Sequence, residues 1–440
     1  MRDALHYKGM QVTMTKSTVD YNTPDTHRRS LLKRVVSLPL AYGLASSVTL
    51  PANAATAPHV GGLHNSRNQF SLNSTYLNGA LMHPIAKGAL QSIQHYLHAR
   101  LMDQRAEQVD MDGDRNRAMT LFCRLFNVDS DELAWVPSTT VAENLVVSGL
   151  GLHQQGSVVT DVYHFNGSLF MYNEFAKQGL EVHIVRANNN RIELSELEKA
   201  IRPNTKLLAL TLVSSVAGFQ HDLKAVCDMA HAKGVMVYAD IIQAAGTSPI
   251  DLHASGVDFA ACSTYKWLMG DFGIGVMYAR RASQAKLKRT QIGFRQEAHM
   301  QTHYLPFDPP GERLIETQSQ QGLAGIIGVG TLSASGIAAL TYSLDYILSL
   351  GVDTIQTWRQ PILNRLRETL PSLGYPCMTP EDSQSAIISF TCEHAPQKLG
   401  PLLTKENIEL SLYPNFMRIS PSFYNELDDA DRLIAVLKKA

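Results

Sequence analysis

From Leu133 onward, short apolar runs alternate with amphipathic stretches. The short apolar runs fall at 133–136, 157–161, 181–185, 207–213, 235–240, 258–263 and 274–279. That is the pattern of strands covered on both faces. Between them, 142–151, 167–178, 194–201 and 223–233 repeat apolar residues at helical spacing. The alternation predicts an α/β fold, a mostly parallel seven-stranded sheet with helices on both faces. Ligands of such sheets bind beyond the carboxyl ends of the strands, so the residues just after each run carry the functional question.

The rhythm changes near Ala334. Long helical patterns at 334–350 and 353–370, each closed by Gly or Pro signals, precede strand-like segments at 386–391, 408–412 and 416–420 and a last helix near 428–438. A smaller α+β domain is expected over 334–440, beside a large domain over 76–333. Upstream, residues 1–54 read as an address. His27-Arg28-Arg29-Ser30-Leu31-Leu32-Lys33 precedes an apolar run at 35–50 that is interrupted by Pro39 and Gly43 and followed by the small-x-small sequence Ala52-Asn53-Ala54. The segment resembles a twin-arginine signal peptide, with Met14 as an alternative start. It implies export to the periplasm by the twin-arginine machinery, a route taken by folded proteins. Residues 55–75 are expected to be a flexible segment. No later stretch has the length of a membrane-spanning helix, so stable membrane insertion is not expected.

Composition narrows the classes further. Hydrophobic residues make up 45% and charged residues 18% of 440, which fits an ordered chain with a large core. Lys+Arg 39 against Asp+Glu 40 gives a net charge of −1, so no global field recruits nucleic acid. The five cysteines are scattered with no C-x-x-C pair, arguing against both a disulfide framework and a zinc site.

Two predicted strand ends carry the candidate chemistry. Val235-Met-Val-Tyr-Ala-Asp240 ends in a carboxylate, with Gln243 three residues on, and Asp258-Phe-Ala-Ala-Cys-Ser263 is followed by Lys266 and then by Gly270, Gly273 and Gly275. Taken singly, the lysine reads as a solvated loop residue and the aspartate as a helix cap. Together with Asp251-Leu252, Gly256-Val257-Asp258-Phe259, Ser263-Thr264-Tyr265-Lys266 and Gly273-Ile274-Gly275, they resemble the class V aminotransferase family of fold-type I pyridoxal phosphate (PLP) enzymes. The resemblance runs from Tyr76 to the C-terminus.

The resemblance implies that PLP is the cofactor, held by Lys266 through its aldehyde. Asp240 would pair with the ring nitrogen and Gln243 with the ring oxygen. Thr139 and Thr140, at a helix start after Trp135-Val136-Pro137-Ser138, would cradle the phosphate together with Ser263. Tyr265 stands where the family usually has His. Tyr163 is chosen by register as the ring on the cofactor face, with His164 as competitor. Ser215 replaces the family's Asn as a shorter polar contact. Thr331 falls where the family supplies a phosphate contact from a second subunit, implying a homodimer; the rival reading is a cap for the following helix. Arg418, in Phe416-Met417-Arg418-Ile419-Ser420, would clamp a substrate carboxylate.

These features imply a PLP enzyme acting on an amino group alpha to a carboxylate of a small amino-acid-like or peptide-like molecule. Desulfurases of the family carry a nucleophilic cysteine shortly before the substrate arginine, and 409–416 contains none. Cys262 reads as a small buried hydrophobe. Lys266-Trp267-Leu268, Gly330-Thr331 and Arg418-Ile419-Ser420 are most similar to the isopenicillin-N-epimerase-like branch. With the signal, they imply an exported enzyme of siderophore or secondary-metabolite maturation. Transamination, epimerisation and β-elimination all stay open, as does a non-catalytic binding protein on the same fold.

Overall fold

In the computed structural model the described residues are 63–102, 111–152 and 156–440. The signal expected at 1–54 and the first part of the segment 55–75 lie outside them. The large sheet has seven strands: β1 (Leu133–Val136), β2 (Ser157–Asp161), β3 (Glu181–Val185), β4 (Thr205–Thr211), β5 (Met236–Asp240), β6 (Phe259–Ser263) and β7 (Gly275–Ala279). Their order across the sheet is β1-β7-β6-β5-β4-β2-β3. Every pairing is parallel except the two that β7 makes.

Successive residues of the central strands point into two different cores, as a period of two requires. Leu208 and Leu210 of β4, Val237 and Ala239 of β5, and Ala260 and Cys262 of β6 enter one core. Leu207, Ala209, Tyr238, Phe259 and Ala261 enter the other. Both faces are therefore dry, and this is why the sequence shows unbroken apolar runs. At Asp240 and beyond Ser263 the runs end, and polar side chains gather at adjoining strand tips.

The small sheet has three strands, β10 (Ile388–Thr391), β11 (Ser411–Tyr413) and β12 (Phe416–Ile419), all antiparallel in the order β10-β12-β11. Before it lies a hairpin of β8 (Glu297–Thr302) and β9 (Ile315–Ser319), whose residues are mostly exposed. The boundary expected at 333/334 falls within one compact unit, Pro58–Ala440. Helix Ala334–Leu350 packs against helices Lys87–Leu101 and Met111–Phe126, and Gly88 leaves room for the Tyr342 ring.

One expectation is corrected. The later part of 55–75 is pinned rather than flexible: Leu63 and Phe70 are buried, and Ser66 Oγ lies 2.7 Å from the carbonyl of Phe423. Phe70 joins an aromatic cluster with His83, Phe423 and Tyr424, and this apolar contact anchors the segment. Among the described residues no single helix is long and apolar enough to cross a membrane.

Candidate active site

Asp240 closes β5 and is almost fully buried. One of its carboxylate oxygens accepts the Ile242 N–H at 2.9 Å; the other has no described hydrogen-bond partner. Burial pushes its pKa up to about 6, against the opposing pull of the Ile242 N–H, His164 and Lys266. Lys266 follows β6 by three residues and is also buried. Burial lowers its pKa to about 8; Asp240 opposes that shift and Arg418 adds to it. The Lys266 amine sits 5.8 Å from the centre of the Tyr265 ring, and no carboxylate lies within ion-pair distance of it among the described residues. Among the described residues neither the Lys266 amine nor this second Asp240 oxygen has a hydrogen-bond partner, as befits groups arranged for a bound molecule.

Thr139 and Ser263, two of the residues expected to cradle a phosphate, lie side by side. Ser138 caps helix Thr139–Gly149 by accepting the Val141 N–H, and Thr139 and Ser263 hydrogen-bond reciprocally. The Thr139 N–H donates to Ser263 Oγ at 3.0 Å, and the Ser263 N–H donates to Thr139 Oγ1 at 2.9 Å. Two hydroxyls and a helix N-terminus thus meet at the tips of β1 and β6, a suitable place for a phosphate. Thr140 is exposed at the second position of that helix.

Gln243 is locked by segments remote in sequence. Its Nε2 donates to the Ala80 carbonyl at 3.1 Å, and its Oε1 accepts from Trp267 Nε1 at 2.9 Å. An amide nitrogen has two N–H groups, so one remains for a ring oxygen. Tyr265 stacks on Phe272 at 4.4 Å. Burial, aided by Asp240, raises its phenol pKa, so it offers a neutral ring to Lys266.

The structure separates Tyr163 from His164. Tyr163 is half-buried and lies 6.2 Å from Phe219. Both ring nitrogens of His164 are occupied, by Thr211 Oγ1 at 2.7 Å and Glu143 Oε1 at 2.9 Å, so this ring serves the interior. Thr331 is exposed beside Gly330, and the cap of the following helix is Ser333, which accepts the Gly336 N–H. The helix-cap alternative for Thr331 is therefore corrected: the cap lies two residues further on, where the side chain reaches the free N–H groups.

Arg418 is buried in β12 with no carboxylate partner among the described residues. Its Nη1 donates to the Ser215 carbonyl at 2.9 Å and its Nη2 to Ser411 Oγ at 3.0 Å, while Nε has no partner. The guanidinium lies 5.6 Å from the Tyr413 ring centre. Ser411 in turn donates to Asn78 Oδ1 at 2.7 Å. Ser215 thus contributes its backbone, which any residue type there would supply. Sequence reasoning missed Asn78, Ser411, Tyr413 and Trp267, because their roles depend on contacts between distant segments.

Surface clefts of about 590 Å³ by Glu132, His253 and Arg281 and about 540 Å³ by Tyr375, Cys392 and Lys398 lie elsewhere. The site is defined by its side chains, not by cavity size. Its donor set fits PLP: an amine for the aldehyde, a carboxylate for the ring nitrogen, and a hydroxyl-lined helix start for the phosphate.

Comparison with known proteins agrees with this reading of the fold. The chain is 26% identical over 270 residues to a probable cysteine desulfurase of Methanothermobacter thermautotrophicus, covering 60% of this chain and 63%, just under two thirds, of that protein. It is 25% identical over 335 residues to a cysteine desulfurase of Yersinia pestis, covering 70% of this chain and 78% of that one. Among solved structures, the cysteine desulfurase CsdA of Escherichia coli superposes with a TM-score of 0.74 at 21% identity, covering 86% of this chain and 98% of that one. A C-DES variant with glycine covalently linked to its PLP cofactor gives 0.73 at 20% identity, covering 84% and 98%. At such identities the structures speak to the fold alone. The family model Aminotransferase class-V matches residues 87–433, and the chain belongs to that family.

Proposed function

We propose that this class V, PLP-dependent enzyme acts on an amino group next to a carboxylate, by aminotransferase-like chemistry. The observation that carries the reading is the buried amine of Lys266, which has no ion-pair partner among the described residues and lies in electrostatic reach of the buried carboxylate of Asp240 and of Arg418. PLP, when bound, supplies an aldehyde that captures amines and a ring that withdraws electrons from the neighbouring carbon.

The protein's own groups do the rest. Lys266, with its pKa lowered to about 8, presents a neutral amine to the aldehyde in a useful fraction of molecules near neutral pH. The same nitrogen would be placed to take and return a proton at the substrate α-carbon. Asp240 would hold a proton on the ring nitrogen. Thr139, Ser263 and the helix N-terminus would fix the phosphate, and the remaining Gln243 N–H would orient the ring. Arg418 holds the substrate carboxylate and so chooses which α-carbon bond stands over the ring.

Sulfur transfer, named for several relatives, is not carried over. β11 and β12 are joined through Pro414 and Asn415 alone, leaving no loop to deliver a thiol beside Arg418. Burial pushes the Cys227 thiol up to about 12 and that of Cys262 higher still, so neither is a thiolate near neutrality.

Export to the periplasm and a role in siderophore or secondary-metabolite maturation belong to the same proposal. They are supported by the order Arg28-Arg29, apolar run, Ala52-Asn53-Ala54. A homodimer is supported by apolar side chains exposed on and around the β8–β9 hairpin, among them Ile292, Phe294, Met300, Phe307 and Leu314. Exposed Thr331 remains available to such a partner. The test is to add a panel of amino donors to the yellow holoenzyme. Loss of the yellow absorbance with release of a keto acid supports amino transfer. An unchanged spectrum with exchange of the α-proton points to epimerisation instead.

A further inference from the structure

Trp267 follows Lys266 directly and is among the bulkiest fully buried side chains. Its indole N–H donates to Gln243 Oε1 at 2.9 Å, while Gln243 Nε2 donates to the Ala80 carbonyl at 3.1 Å. An indole nitrogen can only donate and a carbonyl can only accept, so these two neighbours admit one orientation of the Gln243 amide. Turning it over would set N–H against N–H and oxygen against oxygen around a buried side chain. Both neighbours are themselves held. The Ala80 N–H donates to Ser420 Oγ at 3.1 Å and the Gly79 N–H to the Ser420 carbonyl at 3.0 Å, just past β12. The indole lies against Gly79, where a Cβ would come within 2.8 Å of its Cζ3. The plainer account is a core tryptophan whose N–H takes any nearby acceptor. That account leaves over the second N–H of Gln243 Nε2, which has no partner among the described residues although the amide is buried three residues past Asp240.

We propose that Trp267, acting with the Ala80 carbonyl, is a positioning residue that fixes the Gln243 amide as a donor and so holds the cofactor's ring oxygen as an unprotonated acceptor. This rests on the PLP reading above. A donor aimed at the ring oxygen favours its anion, because a hydrogen bond to a charged acceptor is stronger than one to a hydroxyl. An amide free to turn over offers its carbonyl instead, which accepts from a ring hydroxyl and favours the protonated oxygen. The orientation of one amide thus selects between two charge states of the ring. Trp267 shares a tight turn with Lys266, closed by the Met269 N–H to the Lys266 carbonyl and the Gly270 N–H to the Thr264 carbonyl, both at 2.8 Å. The turn that carries the amine therefore also sets the state of the ring. Gln243 is the residue that touches the cofactor; Trp267 acts through it and is not catalytic.

The test is the absorbance of the holoenzyme at fixed pH. PLP joined to an amine is yellow when its ring oxygen is unprotonated and absorbs in the near ultraviolet when that oxygen keeps its proton. Wild-type protein that gives neither band with PLP would sink the PLP reading itself; a near-ultraviolet band alone would overturn the present proposal. Trp267→Phe keeps a ring against Gly79 and removes only the donor, so the ratio of yellow to near-ultraviolet forms should fall roughly fivefold, the worth of one hydrogen bond. Gly79→Ala, which displaces the indole, should move the ratio the same way by less, and it serves as the reading if Trp267→Phe does not load cofactor. Combining Trp267→Phe with Gln243→Leu separates this role from simple packing. The double variant should show the ratio of Gln243→Leu alone, because the tryptophan then has no amide to orient. A ratio unmoved by Trp267→Phe, or moved equally with and without Gln243→Leu, overturns the proposal.

Discussion

The two halves of the site are built by different means. At the tips of the large sheet, Asp240, Thr139 and Ser263 are fixed largely by backbone N–H groups: Ile242 to Asp240, Thr139 to Ser263, Ser263 to Thr139. On the small sheet, Arg418 is held by side chains and one carbonyl, namely Ser411, the Tyr413 ring and Ser215 O, with Asn78 behind Ser411. Backbone anchoring survives sequence change, whereas a side-chain cage is remade by a few substitutions. On the proposed function, the comparison assigns reaction type to the sheet tips and substrate choice to the cage around Arg418. A fold shared with desulfurases is therefore compatible with a different substrate.

Breaking the sheet-tip half should have the largest effect. Lys266→Ala should lower turnover on the order of 10⁴-fold while the fold persists, since on the proposed function the neutral amine both holds the cofactor and moves the proton. Single-turnover kinetics check this, and activity within tenfold of wild type would contradict it. Breaking the cage should be milder and selective. Arg418→Lys should reduce kcat/KM for carboxylated amines by roughly a hundredfold, about 3 kcal/mol, because an ammonium cannot reproduce a bidentate pair. Amines lacking the carboxylate should be nearly unaffected, and a kinetic panel of matched donors reads the difference.

Asp240→Asn sharpens the comparison by separating function from stability. The folded pKa of Asp240 is raised from 3.8 to about 6, so folding penalises its charged form. That penalty is absent below the unfolded value, grows as pH rises from about 4 to 6, and is complete above about 6. Cofactor-free Asp240→Asn should therefore be more stable than wild type by roughly 2–3 kcal/mol at pH 8 and equal to it below pH 4, as urea unfolding at both pH values will show. The holoenzyme variant should nonetheless lose turnover. The smallest effect concerns pH: uptake of PLP by the cofactor-free protein should rise with a midpoint near pH 8, the lowered pKa of Lys266. Stopped-flow absorbance checks it, and a midpoint near 10.5 would mean that the amine is not buried.

Much of this was legible in the sequence where burial writes a simple pattern. The inner runs were readable because both faces are covered, and the Asp240 and Lys266 tips because the chain turns polar just there. The β8–β9 hairpin was not, since Glu297-Ala-His-Met-Gln-Thr302 has no continuous apolar run and its Ala298 and Met300 are exposed. Helix Ala395–Lys405 was hidden by Pro396 and Pro401. Gln243's partners Ala80 and Trp267 come together only through the tertiary fold. Glu143 did leave a trace: it is a carboxylate among buried Ala142, Leu145 and Val146, and a charge in an apolar helical stripe demands a partner.

The central claim is that Lys266 carries the cofactor. Borohydride reduction of the yellow protein followed by peptide mapping tests it most directly. The account predicts a single pyridoxyl label on Lys266, absent in Lys266→Ala. A label on another lysine, or none, would contradict it.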